Sequence, residues 1–266
     1  MYDEQSGVNY RASSLKAAEL KACARENLLG KYAVIVLSVL LLGVIQSILS
    51  GAFSSTITVY SGTLQYIIYY FAMFIISVLY LFFEAGIDSM HLKASRNQVF
   101  QYSELLFAVR NSTNRFLTAG LILTAISFLW QIPFNLLMNY GIDYALNWAT
   151  AMDIMDFGTV GVPAADVMLI IAVVTLIGAV VSIVLSLSFA LVMFFLIDNP
   201  QMTAKEAFAQ SWRCMKGQRM RLLCLYLSFI GLYLLSILTF GIGILWVAPY
   251  LKQSVTVFYE DVTDKL

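Results

Sequence analysis

The hydrophobic and polar positions of this chain fall in long blocks. Apolar runs fill Tyr32–Leu49, Leu64–Phe83, Phe116–Met138, Val167–Ile197, Leu222–Phe240 and Ile244–Phe258. Roughly 20 mainly apolar residues let a helix cross a bilayer, because lipid offers a bare amide no partner and a helix satisfies its own. Between the blocks the pattern turns amphipathic. Ala204, Ala207, Phe208, Ser211, Trp212 and Met215 share one helical face, with Lys205, Glu206, Gln210, Arg213 and Lys216 on the other. Asp198-Asn199-Pro200 stops the preceding helix, Thr203 takes the N-cap position with Glu206 three residues on, and Gly217 closes the unit. Ser14–Leu29 and Tyr102–Arg110 repeat the pattern, so Ser14–Leu49, Tyr102–Met138 and Thr203–Phe240 each read as an amphipathic helix, a break and an apolar run. The expected fold is an all-α polytopic membrane protein: six transmembrane helices as three hairpins in a pseudo-three-fold repeat, each preceded by an amphipathic interfacial helix. It forms a single integral-membrane domain over 1–266, with repeat units at about 12–83, 102–197 and 203–259.

Composition sharpens this reading. Hydrophobic residues make up 60% and charged residues 12%, where a soluble domain carries about a quarter charged. Net charge is zero, so no global field favours nucleic acid. Of the sixteen Lys and Arg, five lie in Met1–Lys31, four in Glu84–Arg115, five in Asp198–Arg221 and two from Lys252 onward. The remaining loops, Ser50–Thr63, Asn139–Ala165 and Gly241–Gly243, hold none. By the positive-inside rule both termini of this multi-pass chain are expected on the cytoplasmic side of the membrane. Met1–Asn9 carries Asp3 and Glu4 and does not read as a cleavable leader. Lys252 interrupts the last run and is expected to snorkel to the inner interface; a re-entrant hairpin over Ile244–Phe258 is the alternative. Val167–Ile197, at about 46 Å, must tilt, kink or project beyond a core of about 30 Å.

Candidate chemistry is sparse. Asp88, Ser89 and His91 cluster after the second run, but no nucleophile-elbow pattern surrounds Ser89, and a lone histidine in a charged loop is expected in solvent. Glu84 and Asp198 end apolar runs, where a carboxylate is either paired with Lys or Arg or serves as a proton or cation site. Gly178, Ser182, Ser186 and Ala190 recur every four residues, the spacing of a helix-packing seam. Lys205, Arg213, Lys216, Arg219 and Arg221 form a basic face for anionic lipid or a partner. The acidic loop Asn139–Ala165 reads as a solvated outer helix. Cys23, Cys214 and Cys224 form no CxxC pair and read as free thiols. No cofactor and no metal site is expected.

Several segments carry a family likeness: Asp198-Asn199-Pro200 before Lys205-Glu206-Ala207, Met215-Lys216-Gly217 and Arg221-Leu222, then Thr239-Phe240-Gly241-Ile242-Gly243, Pro249-Tyr250 and Phe258-Tyr259-Glu260-Asp261. Gly30-Lys31-Tyr32 and Glu84-Ala85-Gly86 fit more loosely. In these the chain resembles an uncharacterised bacterial integral-membrane family, domain of unknown function 975. That family is distantly similar to the accessory membrane part of certain glycerophosphodiester phosphodiesterases, which lends no catalytic residue. The resemblance implies a polytopic membrane protein without an assigned activity. The expected role is therefore non-enzymatic: binding or transport of a lipid or amphipathic molecule in envelope homeostasis. The alternatives are a scaffold that recruits a cytoplasmic protein through its basic helices and, last, an intramembrane enzyme acting on lipid. The expected partners are membrane lipids, an amphipathic small molecule or peptide, or a cytoplasmic protein, and not nucleic acid.

Overall fold

A computed structural model describes residues 15–55, 63–129, 131 and 163–263. Among the described residues every regular element is helical. In chain order these are α1 (Ala17–Leu28), α2 (Tyr32–Ser54), α3 (Thr63–Ser95), a 3-10 turn (Tyr102–Leu106) continued by α4 (Phe107–Arg110), α5 (Thr113–Leu129), α6 (Pro163–Phe189), α7 (Val192–Asp198), α8 (Ala204–Cys214), α9 (Arg219–Leu227), α10 (Ile230–Leu238) and α11 (Ile244–Val262). Among the described residues four helical stretches are long and apolar enough to cross a membrane: Tyr32–Ser54, Leu64–Ser95, Ala172–Asp198 and Arg219–Leu238. Thr113–Leu129 is a shorter apolar helix. Pro133 of the third apolar run, Asp143, Asp153 and Asp156 of the acidic loop, and the residues before Leu15 lie outside the described residues.

The chain forms two compact units, one of Met1–Ile122 with Leu187–Leu266 and one of Leu123–Ser186. In the first, α2 packs on α3, and α11 packs on α1, α2, α3, α9 and α10. Its core holds Phe194, Phe195, Phe229, Phe258 and Tyr259, all buried. The Tyr259 ring stacks on Phe194 at 5.3 Å and meets Phe195 edge-on at 5.2 Å.

Three elements depart from the sequence reading. The charged stretch after the second apolar run is no loop: α3 continues unbroken for 33 residues, about 50 Å against a hydrocarbon core of about 30 Å. It ends at an αL cap. Asn97 has φ 53°, Gln98 N–H donates to Lys93 O at 2.8 Å and Asn97 N–H to Ala94 O at 3.2 Å. The expected amphipathic helix over Tyr102–Arg110 is a 3-10 turn and one α turn. The long fourth run takes the kinked form, breaking at Ala190-Leu191 into α6 and α7, and α6 begins earlier than the apolar run, at Pro163.

Candidate functional site

The site grows from one face of α3. Glu84, Asp88, His91 and Ser95 stand at i, i+4, i+7 and i+11, so they line one stripe of the helix. The stripe faces α11, and the pairing climbs both helices together. Lys252 Nζ lies 2.8 Å from Glu84 Oε1 and 2.8 Å from Asp88 Oδ1. His91 Nδ1 meets Gln253 Oε1 at 2.7 Å, and Gln253 Nε2 donates to His91 O at 3.3 Å. Ser95 Oγ donates to Glu260 Oε2. Rising numbers on both helices mean that α3 and α11 run parallel, joined by a polar seam.

The seam ends in an arginine clamp. Arg96 forks onto Asp198 with Nη1 at 2.7 Å and Nη2 at 2.9 Å, while its Nε donates to Glu260 Oε1 at 3.0 Å. Tyr259 OH donates to Asp198 Oδ2 at 2.8 Å. The Asp198 hydrogen bonds raise the Arg96 guanidinium above its usual value, so it stays charged. Burial is the main cause that raises the Glu260 carboxyl, opposed by its bonds from Ser95 and Arg96. The Asp198-Asn199-Pro200 turn is held from its other side by Arg115, whose Nη1 donates to Asn199 O and Met202 O, both at 3.0 Å.

The 3-10 turn is pinned against α3 beside the seam. Lys93 Nζ pairs with Glu104 Oε1 at 2.7 Å. Gly86 permits the approach: a Cβ there would stand 2.5 Å from Glu104 O and 2.7 Å from Leu105 Cα, so only a hydrogen fits. Lys31 Nζ closes the end of α3 by donating to Ala94 O and Asn97 Oδ1, both at 3.0 Å, where a cation also suits the helix dipole.

The residues singled out from sequence thus fall in different places. Glu84 and Asp198 each meet a cation in the seam or its clamp. His91, expected in solvent, is completely buried, because α3 carries it under α11. Lys252 reaches Glu84 and Asp88 while part of its side chain stays exposed. Of the small-residue series, Gly178 is buried, Ser182 and Ser186 are exposed and Ala190 is half-buried. On α8 the capping box forms: Thr203 N–H donates to Glu206 Oε2 at 2.8 Å and Glu206 N–H to Thr203 Oγ1 at 3.4 Å. Lys205, Arg213 and Lys216 are exposed. Arg219 lies over the Trp212 ring at 4.3 Å, and Arg221 pairs with Asp261 while Nε donates to Leu15 O at 2.9 Å. Arg96, Gln253, Tyr259 and Glu260 were not expected as site residues. Their signal was the polar spacing on α3 and α11, which shows each stripe but not that the two face each other. No group of His, Cys, Asp and Glu among the described residues could hold a metal ion.

A family described as Protein of unknown function (DUF975) matches residues 15–265. No curated protein and no solved structure matches the chain.

Proposed function

The chain belongs to this family of unknown function, DUF975, and from that premise we propose that it is a non-enzymatic membrane protein that binds or moves a lipid or other amphipathic molecule. The carrying observation is the Glu84–Lys252–Asp88 cluster. It sits where the apolar part of α3 gives way to its polar end, the depth at which an amphiphile changes from tail to headgroup. Glu84 and Lys252 keep 25% and 29% of their side chains exposed, while Asp88 keeps 3%. A headgroup can therefore reach the outer pair while Asp88 continues to hold Lys252 from behind. The likeness to the membrane part of glycerophosphodiester phosphodiesterases belongs to the same proposal, as does the six-span arrangement with both termini in the cytoplasm. In that arrangement α5 and α11 complete the count beside the four long apolar helices.

Native mass spectrometry of the protein released gently from its own membrane tests this. A single lipid or amphipathic species retained in stoichiometric amount, and lost from the Glu84→Gln/Lys252→Met double variant, is the expected result. A protein that arrives bare in both forms contradicts it. One observation favours a second reading: the exposed Lys205, Arg213 and Lys216 beside the partly exposed Trp212 offer a docking face. Co-release of a stoichiometric soluble protein in place of lipid would turn the assignment to a scaffold.

A further inference from the structure

The protonation state of His91 can be read from its partner. The backbone carbonyl of His91 can only accept, so the end of the Gln253 amide facing it, at 3.3 Å, is the NH2. The amide oxygen is then the end against Nδ1, at 2.7 Å, and it too can only accept. Nδ1 therefore carries the ring hydrogen, and Nε2 is left with a bare lone pair. That lone pair is buried and has no hydrogen-bond partner among the described residues. A second deficit lies alongside. Glu84 and Asp88 bring two negative charges against the single positive charge of Lys252. Asp88 stands three residues before His91 on the same helix face, which places their side chains as neighbours.

Both deficits have one remedy, since the site lacks a hydrogen at a nitrogen and a positive charge. We propose that the α3–α11 seam is a proton-binding site, taking up one proton that His91 Nε2 and the Asp88 carboxyl hold between them. Hydronium releases the proton as an N–H or O–H bond forms in the seam, and a water molecule leaves. The charge of the Glu84–Asp88–His91–Lys252 group then passes from minus one to zero. The groups facing His91 act in both directions. The Gln253 oxygen against Nδ1 and the carboxylate of Asp88 one turn away favour uptake, whereas burial of the ring and Lys252 on α11 oppose it. Farther along, the Lys93–Glu104 pair on the 3-10 turn and the Arg96–Asp198–Glu260 clamp are already matched in contact. The proton belongs to the coupled group rather than to one residue.

The chain has a single histidine, so ring-15N labelling of the full-length protein in lipid nanodiscs gives one pair of ring signals. At about pH 8, above the ordinary histidine range, the hydrogen should sit on Nδ1 with Nε2 bare. Lowering the pH to about 4 should move the Nε2 signal as one proton enters. Asp88→Asn should displace that transition by at least about one pH unit, a tenfold change in proton affinity. Lys252→Met should displace it toward easier uptake. A hydrogen on Nε2 at the upper pH overturns the proposal in the wild-type protein alone, whether or not the variants fold. So does an Nε2 signal that stays still across the range, or a transition that neither variant shifts.

Discussion

The two ends of α11 obey opposite rules. At its start Ile244 and Trp246 are exposed, Trp246 by 54%, as side chains that meet lipid would be. From Gln253 to Val262 every residue is buried, Gln253, Glu260 and Asp261 included. The same reversal runs along α3: Leu64, Ile67, Phe71 and Leu79 point outward, whereas Asp88 and His91 are hidden. A helix in lipid can show apolar residues to its surroundings at no cost, because the solvent is as apolar as they are. A helix that leaves the lipid gains by burial, and when its buried residues are polar each needs a partner. One unit of this molecule therefore contains an apolar half that shows its side chains outward and a polar half held by ion pairs and hydrogen bonds.

The contrast predicts where substitutions cost most. Arg96→Ala leaves the Asp198 and Glu260 carboxylates buried without their shared cation. It should destabilise the protein by about 3 kcal/mol or more, read as a lowered melting temperature in detergent or nanodiscs. An unchanged melt would mean that the clamp does not bear on stability. Gly86→Ala forces a methyl into the backbone of the 3-10 turn and should cost about 1–3 kcal/mol. Gly43→Ala on α2, with open space around its Cβ, should be near neutral by the same assay. Equal effects at the two glycines would contradict the close docking of the turn. Within the seam, Asp88→Asn should cost more than Glu84→Gln, because Asp88 is the deeper partner of Lys252. The reverse order would place the buried charge elsewhere.

The smallest effects lie on α8. Thr203→Ala removes the cap and should cost about 1 kcal/mol. Its capping box also has a pH signature. The backbone N–H and then the hydroxyl of Thr203 hold the Glu206 carboxyl below its ordinary value. A group with a depressed folded-state pKa contributes stability above its unfolded pKa and loses it as pH falls through the folded one. The protection of the first-turn amides of α8, taken relative to their intrinsic exchange rates, should thus fall on acidification, and that pH dependence should vanish in Glu206→Gln. Cys214, whose thiol burial pushes up to about 12, should resist maleimide at neutral pH until the protein is unfolded.

What the sequence made legible follows from the range of the forces involved. The cap, face and end of α8 are set within fifteen residues, and Thr203, Glu206 and Gly217 mark them in the chain itself. The long apolar runs announce helices because lipid permits little else. The αL cap at Asn97, the continuation of α3 past Glu84 and the parallel pairing of α3 with α11 were not announced. Charged residues after an apolar run look the same whether they enter a loop or lock onto a distant helix. Lys252 shows this: its partners lie more than 160 residues away in the chain. A polar series such as Glu84, Asp88, His91 and Ser95 at helical spacing is the signal that distinguishes the cases, since a loop has no reason to keep one face.

The most direct test of the two-half account is a spin-label scan of α3 in nanodiscs. Single cysteines at Leu64, Ile67, Phe71, Ile75 and Leu79, then at Lys93, would be labelled and their accessibility to oxygen and to a water-soluble nickel relaxant compared. The account predicts oxygen-favoured relaxation from Leu64 through Leu79 and nickel-favoured relaxation at Lys93. Nickel reaching Ile67 or Ile75 as readily as Lys93 would contradict it.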